Sequence, residues 1–161
     1  MIDILITREA DGWDDIDPDL NGRIEETVHA ALKGANVVIR DPAEISIMLA
    51  DNACIRDLNK QWRGKNKPTN VLSFPVDDDP DEILPANTPR LLGDMALALE
   101  TLQTEAREMN ISVLDHLRHL IVHGVLHLLG FDHETDDMAE RMEALEVEIL
   151  NTMNINTANP S

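Results

Sequence analysis

The chain contains no tyrosine, and aromatic residues make up only 2% of its 161 positions, as two Trp and two Phe. No phenol can therefore act as an acid or base in any chemistry this protein performs. Cysteine is nearly as scarce. The single Cys54 excludes an internal disulfide, and its apolar setting fits a buried structural thiol in a reducing compartment. Basic residues are few: 13 Lys plus Arg stand against 31 Asp plus Glu, a formal charge of -18 that opposes any general attraction to nucleic acid or anionic membrane. A polyanion could be held only where basic residues concentrate locally. The stretch MIDILITREADGWDD has neither a basic n-region nor a long apolar core, and the longest apolar run is too interrupted by histidine to span a bilayer. A cytoplasmic protein without membrane attachment is the expectation. The length suits one domain with a core that needs no staples.

Histidine is what the chain does have, concentrated in HGVLHLLGFDH at 123–133. His123 and His127 stand four apart, so on a helix their imidazoles project side by side from one face. Gly130 follows where a helix commonly ends on a left-handed residue, and the chain can double back to deliver His133. Three nitrogen ligands at this spacing predict a divalent metal, best zinc, with a fourth tetrahedral position left for water. The spacing is that of the metzincin metallopeptidases, but those carry Glu directly after the first histidine as general base, and here that position is Gly124. The peptidase reading loses its base while the metal reading keeps its ligands. His119 with His123 would pair equally well by spacing. The Gly130 turn favours His123 with His127, leaving His119 as a neighbour of the site and His116 as a partly exposed polar residue.

The rest of the pattern predicts an α+β domain, a small mixed sheet of about four strands packed with about five helices around the histidine-bearing helix. Strands are expected at 2–6, Val37–Ile39, Glu44–Ala50, Thr69–Phe74 and from Leu91 toward Leu99, with Gly93 at a close backbone approach. A helix should run from Pro18 to Gly34, and a second, capped by Asp51 and stopped by Gly64, should turn Ile55, Leu58 and Trp62 inward. Glu100–Asn110 reads as a polar helix, and Ser112 can cap the histidine helix. Asp136 or Asp137 can cap a last helix with Met138, Met142, Leu145 and Ile149 inward. Residues 75–90, PVDDDPDEILPANTPR, predict a long loop, and 154–161 a frayed tail. Asp94 is the polar residue of an apolar run, either buried with partners or facing a site.

Five of the 13 basic residues fall within twelve positions: Arg56, Lys60, Arg63, Lys65 and Lys67. Arg56 and Lys60 read as a solvated helix face. Arg63, Lys65 and Lys67, in and just after the turn, predict phosphate binding.

With the metal motif and the basic turn together, the chain resembles the YbeY family of bacterial metal-dependent endoribonucleases, the rRNA maturation factors. The resemblance rests on HGVLHLLGFDH at 123–133, LNKQWRGKNKPTNVLSFP at 58–75, LLGD at 91–94 and the acidic helix after His133. It departs at Phe131 and Trp62, where the family commonly has Tyr. The resemblance implies a zincin-like site with one zinc held by His123, His127 and His133, and a functional arginine at Arg63. It also implies single-stranded RNA as substrate, with a role in 16S rRNA processing and ribosome quality control alongside ribosomal or assembly proteins. The expected reaction is metal-assisted cleavage of an RNA phosphodiester, with Arg63 stabilising charge at phosphorus and Lys65 and Lys67 binding the backbone. Two other readings are a ribosome-assembly factor with structural zinc, whose acidic surface meets basic proteins, and a zincin peptidase.

Overall fold

The computed structural model describes residues 2–36, 43–64, 69–75, 90–131 and 134–155. Strict alternation builds β1 (Ile2–Arg8), whose Ile2, Ile4 and Ile6 turn toward the core while Asp3, Leu5 and Thr7 face water. A 3-10 turn at Trp13–Asp15 leads to α1 (Leu20–Ala35), which returns the chain to β2 (Ala43–Ala50), parallel to β1 as a crossover helix requires. Helix α2 (Asn52–Arg63) leads to β3 (Val71–Pro75), which runs antiparallel to β4 (Arg90–Ala98). The sheet order is β1-β2-β4-β3, with β2 and β4 parallel. Helices α3 (Leu99–Met109), α4 (Val113–Leu128) and α5 (Asp136–Thr152) complete the expected α+β fold.

The two sheet faces do different work. Ile45, Ile47 and Leu49 of β2 and Met95 and Leu97 of β4 build the main core with the apolar stripes of α1, α4 and α5. The opposite face carries a smaller cluster, Ala50, Leu72, Ala96 and Ala98, covered by Ile55 of α2. In the β2–β4 ladder, Glu44 pairs with Leu91 and Ile45 with Gly93, so Leu92 is an extra residue. Gly93 is buried there at φ +142°, a conformation open to glycine and strained for other residues, so this bulge accounts for the glycine read from the sequence.

Local signals set most helix ends. Asp51 Oδ1 accepts the Cys54 N–H at 2.8 Å, and Gly64 closes α2 in the left-handed region at φ +70°. Ser112 Oγ accepts the Asp115 N–H at 3.1 Å at the start of α4. Several ends differ from the sequence reading. Helix α1 starts at Leu20 rather than Pro18 and stops at Asn36, φ +53°. Gly34 lies inside it because a side chain there would run into Ile149 of α5. Thr135, not Asp136 or Asp137, caps α5: its Oγ1 accepts the Met138 N–H at 3.2 Å. Trp62 is 65% exposed and Met138 39%, so neither faces inward as expected. Ile155 is buried and donates its N–H to the Leu150 carbonyl at 3.0 Å, so ordered packing continues past Asn154. The strand expected at Val37–Ile39, the loop at 76–89 and the tail from 156 lie outside the described residues. Among the described residues, no helix is long and apolar enough to cross a membrane.

Trp13 lies in a stretch whose acidic residues hide its role in the sequence. It is fully buried and donates its indole N–H to the Ala50 carbonyl at 3.0 Å, tying the turn before α1 to the end of β2. Trp13→Ala is expected to cost about 3–5 kcal/mol. Trp13→Phe, which removes the donor and part of the ring, should cost about 1–3 kcal/mol. Urea denaturation of the two variants beside wild type checks both values, and a midpoint unchanged in Trp13→Ala would remove this residue from the core.

Candidate metal centre

Helix α4 is buried on most of its circumference, with Leu117, Ile121, Val122, Val125 and Leu126 all inaccessible to solvent. Its histidine stripe faces the one side left partly open. There a cleft of about 460 Å³ lies between α3, α4 and α5, lined by His116, His119 and His123 and by Glu105, Glu143 and Glu146. At the far end α4 stops on the predicted turn: Gly130 adopts φ +101°, its N–H donates to the His127 carbonyl, and the Phe131 N–H reaches back to the Leu126 carbonyl, each at 3.0 Å. This paired closure ends the helix and turns the chain at Phe131.

The rings of His123 and His127 stand 4.8 Å apart, centroid to centroid, at 76°. His123 Nδ1 lies 2.9 Å from Glu146 Oε1, and His119 Nε2 approaches the same oxygen at 3.5 Å. Because an ionised carboxylate only accepts, His123 donates from Nδ1 and keeps its lone pair on Nε2. A carboxylate held on the remote ring nitrogen is the usual partner of a metal-binding histidine, so the His123–His127 pair suits zinc as part of a donor set. Burial by itself would raise the Glu146 carboxyl, but hydrogen bonds from His119 and His123 and the electrostatic attraction of the two rings outweigh it and hold the carboxyl at about 2 against 4.5. The stabilisation from this depressed value is complete above about pH 4.5 and is lost as pH falls toward about 2.

Of the other two histidines of the stripe, His119 shares Glu146 with His123 and His116 has a partner of its own. His119 points to Glu146, and its buried Nδ1 has no partner among the described residues. His116 corrects that reading. It is 3% exposed rather than partly exposed, because its Nε2 donates at 2.9 Å to Glu105, which also accepts from the Asn70 side chain at 3.0 Å. This link ties α3, α4 and the start of β3 together. Glu146 and Glu105 were both missed in the sequence. For Glu146 a signal existed: it falls at the inward position between Met142 and Ile149.

Of the other predicted residues, Arg63 closes α2, and its side chain lies outside the described residues, as do His133, Lys65 and Lys67. Among the described residues no group of three His, Cys, Asp or Glu side chains is placed to hold a metal. Asp94 is exposed, lining a second cleft on the α2 side of the sheet with Trp62 and Phe74, whose rings meet edge to face at 6.4 Å. Cys54 is half-buried rather than buried, and burial followed by the nearby Asp51 charge pushes its thiol up, away from reactivity.

Gly124 has a second reason to be glycine. A Cβ there would lie 2.5 Å from Met95 Cε and 3.2 Å from Ser73 Oγ, because this face of α4 rests on β3 and β4. The position that bears the general base in the peptidases is here a packing contact with the sheet.

An α+β fold whose central helix carries paired histidines and closes on a left-handed glycine defines a narrow class of protein. The chain belongs to the endoribonuclease YbeY family, whose model matches residues 9–154. It is 47% identical over 150 residues to the endoribonuclease YbeY of Bradyrhizobium diazoefficiens, covering 93% of this chain and 80% of that relative. The counterpart in Paramagnetospirillum magneticum is 44% identical over 154 residues, covering 96% and 93%. Among solved structures, the solution structure of TM1509 from Thermotoga maritima superposes with a TM-score of 0.54 at 25% identity, covering 98% of this chain and 96% of that one.

Replacing Gly124 tests the packing account. Gly124→Ala gains about 1 kcal/mol of helix propensity but meets overpacking of about 1–3 kcal/mol, so its net effect should be small, because the Met95 tip can move. Gly124→Glu must also bury a carboxylate against Met95 and is expected to lose more than about 3 kcal/mol without gaining cleavage of unfolded casein. A Gly124→Glu protein with wild-type stability and zinc-dependent proteolysis would overturn this account.

Proposed function

We propose that this chain is a zinc-dependent endoribonuclease that cleaves single-stranded RNA in the cytoplasm during 16S rRNA processing and ribosome quality control. The observation that carries the metal reading is the Glu146–His123 hydrogen bond beside His127. The activity is supported by the relatives, which are named endoribonucleases. In this reading His123, His127 and His133 hold the ion, with Nε2 of His123 as its donor. Zinc when bound supplies a Lewis acid at the scissile phosphate and lowers the pKa of water. Arg63, at the end of α2, places a planar, permanently charged guanidinium against two phosphate oxygens and stabilises the charge that develops at phosphorus. Lys65 and Lys67 neutralise flanking phosphates in a protein whose net charge of -18 otherwise repels them. The same acidic surface suits basic ribosomal or assembly proteins as partners.

The decisive experiment compares chelated, zinc-restored and Arg63→Ala protein on a ribosomal RNA fragment. Chelation should abolish cleavage and zinc restore it. Arg63→Ala should slow cleavage on the order of a hundredfold with zinc content and melting temperature unchanged, and Arg63→Lys should recover part of that loss. Lys65→Ala and Lys67→Ala should mainly weaken RNA binding and flatten its salt dependence. Arg63→Ala cleaving at the wild-type rate under saturating RNA would reject its role, and cleavage insensitive to chelation would reject the metal.

A further inference from the structure

Of the acidic residues along α5, Glu146 is the one that lies buried, at 6% exposure, on the stripe shared with Met142, Ile149 and Leu150. Burying a carboxylate is costly unless hydrogen-bonding partners replace water. Both partners come from α4, where Oε1 accepts from His123 Nδ1 at 2.9 Å and faces His119 Nε2 at 3.5 Å. The other glutamates of the cleft do not share this role: Glu105 is engaged by His116 and Asn70, and Glu108 and Glu143 are exposed.

We propose that Glu146 is a positioning residue for the metal centre, fixing the His123 ring in the Nδ1–H tautomer so that Nε2 faces the ion, with His119 as its second donor and not a ligand. This rests on the reading of His123 as a metal ligand. The geometry carries it. A carboxylate can only accept, so a ring nitrogen 2.9 Å away must donate, and a neutral imidazole that donates from Nδ1 has its only lone pair on Nε2. Glu146 also makes the ligand a better donor by drawing positive charge onto the remote nitrogen. His119 is held from the same side. Its Nε2 lies 3.5 Å from the same oxygen, a contact that turning the ring toward the ion would cost. The carboxylate thus removes the ambiguity that a stripe of evenly spaced histidines creates: it takes His119 out of competition and commits His123.

Long-range 1H–15N correlation spectra of the metal-free, histidine-labelled wild-type protein read the tautomer without any mutation, and His123 should be protonated at Nδ1. Glu146→Gln keeps the shape of the side chain while removing the charge. It should weaken zinc binding, measured by competition with a chromogenic chelator, by about 10–100-fold with the fold intact by circular dichroism. His119→Gln should leave zinc affinity close to wild type. The proposal is overturned if His123 in the wild type carries its proton on Nε2, or if Glu146→Gln binds zinc as wild type does. It is equally overturned if His119→Gln loses zinc as completely as His123→Ala. Wild-type protein that takes up no zinc would instead reject the metal reading, while the tautomer still decides whether Glu146 orients His123.

Discussion

The close seating of α4 on β3 and β4 is the contact on which the rest of this structure depends. At Gly124 the helix backbone comes near enough to the sheet that Met95 and Ser73 occupy the space of a side chain, and the flanking Leu117, Ile121 and Val125 fill the main core. Each such side chain contributes about 1.5–3 kcal/mol on burial, so the helix cannot rotate about its axis without exposing several of them. A fixed rotation fixes the histidines. With Gly124 toward the sheet, His116, His119 and His123 are turned to the cleft against α3 and α5. The sequence difference from the peptidases and the orientation of the site therefore have one cause.

Burying that stripe beside two further helices places imidazoles and carboxylates in low-dielectric surroundings, where unpaired groups are costly. The protein resolves this by pairing across elements: Glu105 of α3 with His116, and Glu146 of α5 with His123 and His119. The same pairs hold α3 and α5 against α4. Stability and ligand geometry are coupled here, because the group that compensates a buried carboxylate is also the ring that faces the proposed ion.

Charge is distributed by function as well as by solubility. The cleft between α3 and α5 is lined by Glu105, Glu108, Glu143 and Glu146, which concentrate negative charge beside the histidine stripe. The basic residues gather instead at the end of α2 and just after it.

Much of the fold was legible because the signals that specify it are local. Alternation in IDILI and EISIMLA, the caps Asp51 and Ser112, and the stops Gly64 and Gly130 each act within a few residues, and each forms as expected. Where a position answers to a distant partner, local reading misassigned it. Gly34 looked like a helix stop but is a contact for Ile149; Trp13, in an acidic stretch, carried no local sign of burial but is anchored on Ala50; His116 looked partly exposed but is buried and paired with Glu105. By itself the sequence determined the family, the α+β class and the helical pairing of His123 with His127, since these follow from identity and from spacings of four residues or fewer. Only the tertiary structure decided that Gly124 packs against Met95 and that Glu146, 23 positions from His123, turns its ring. Those contacts join residues on separate elements, and no sequence period encodes a distance across a core.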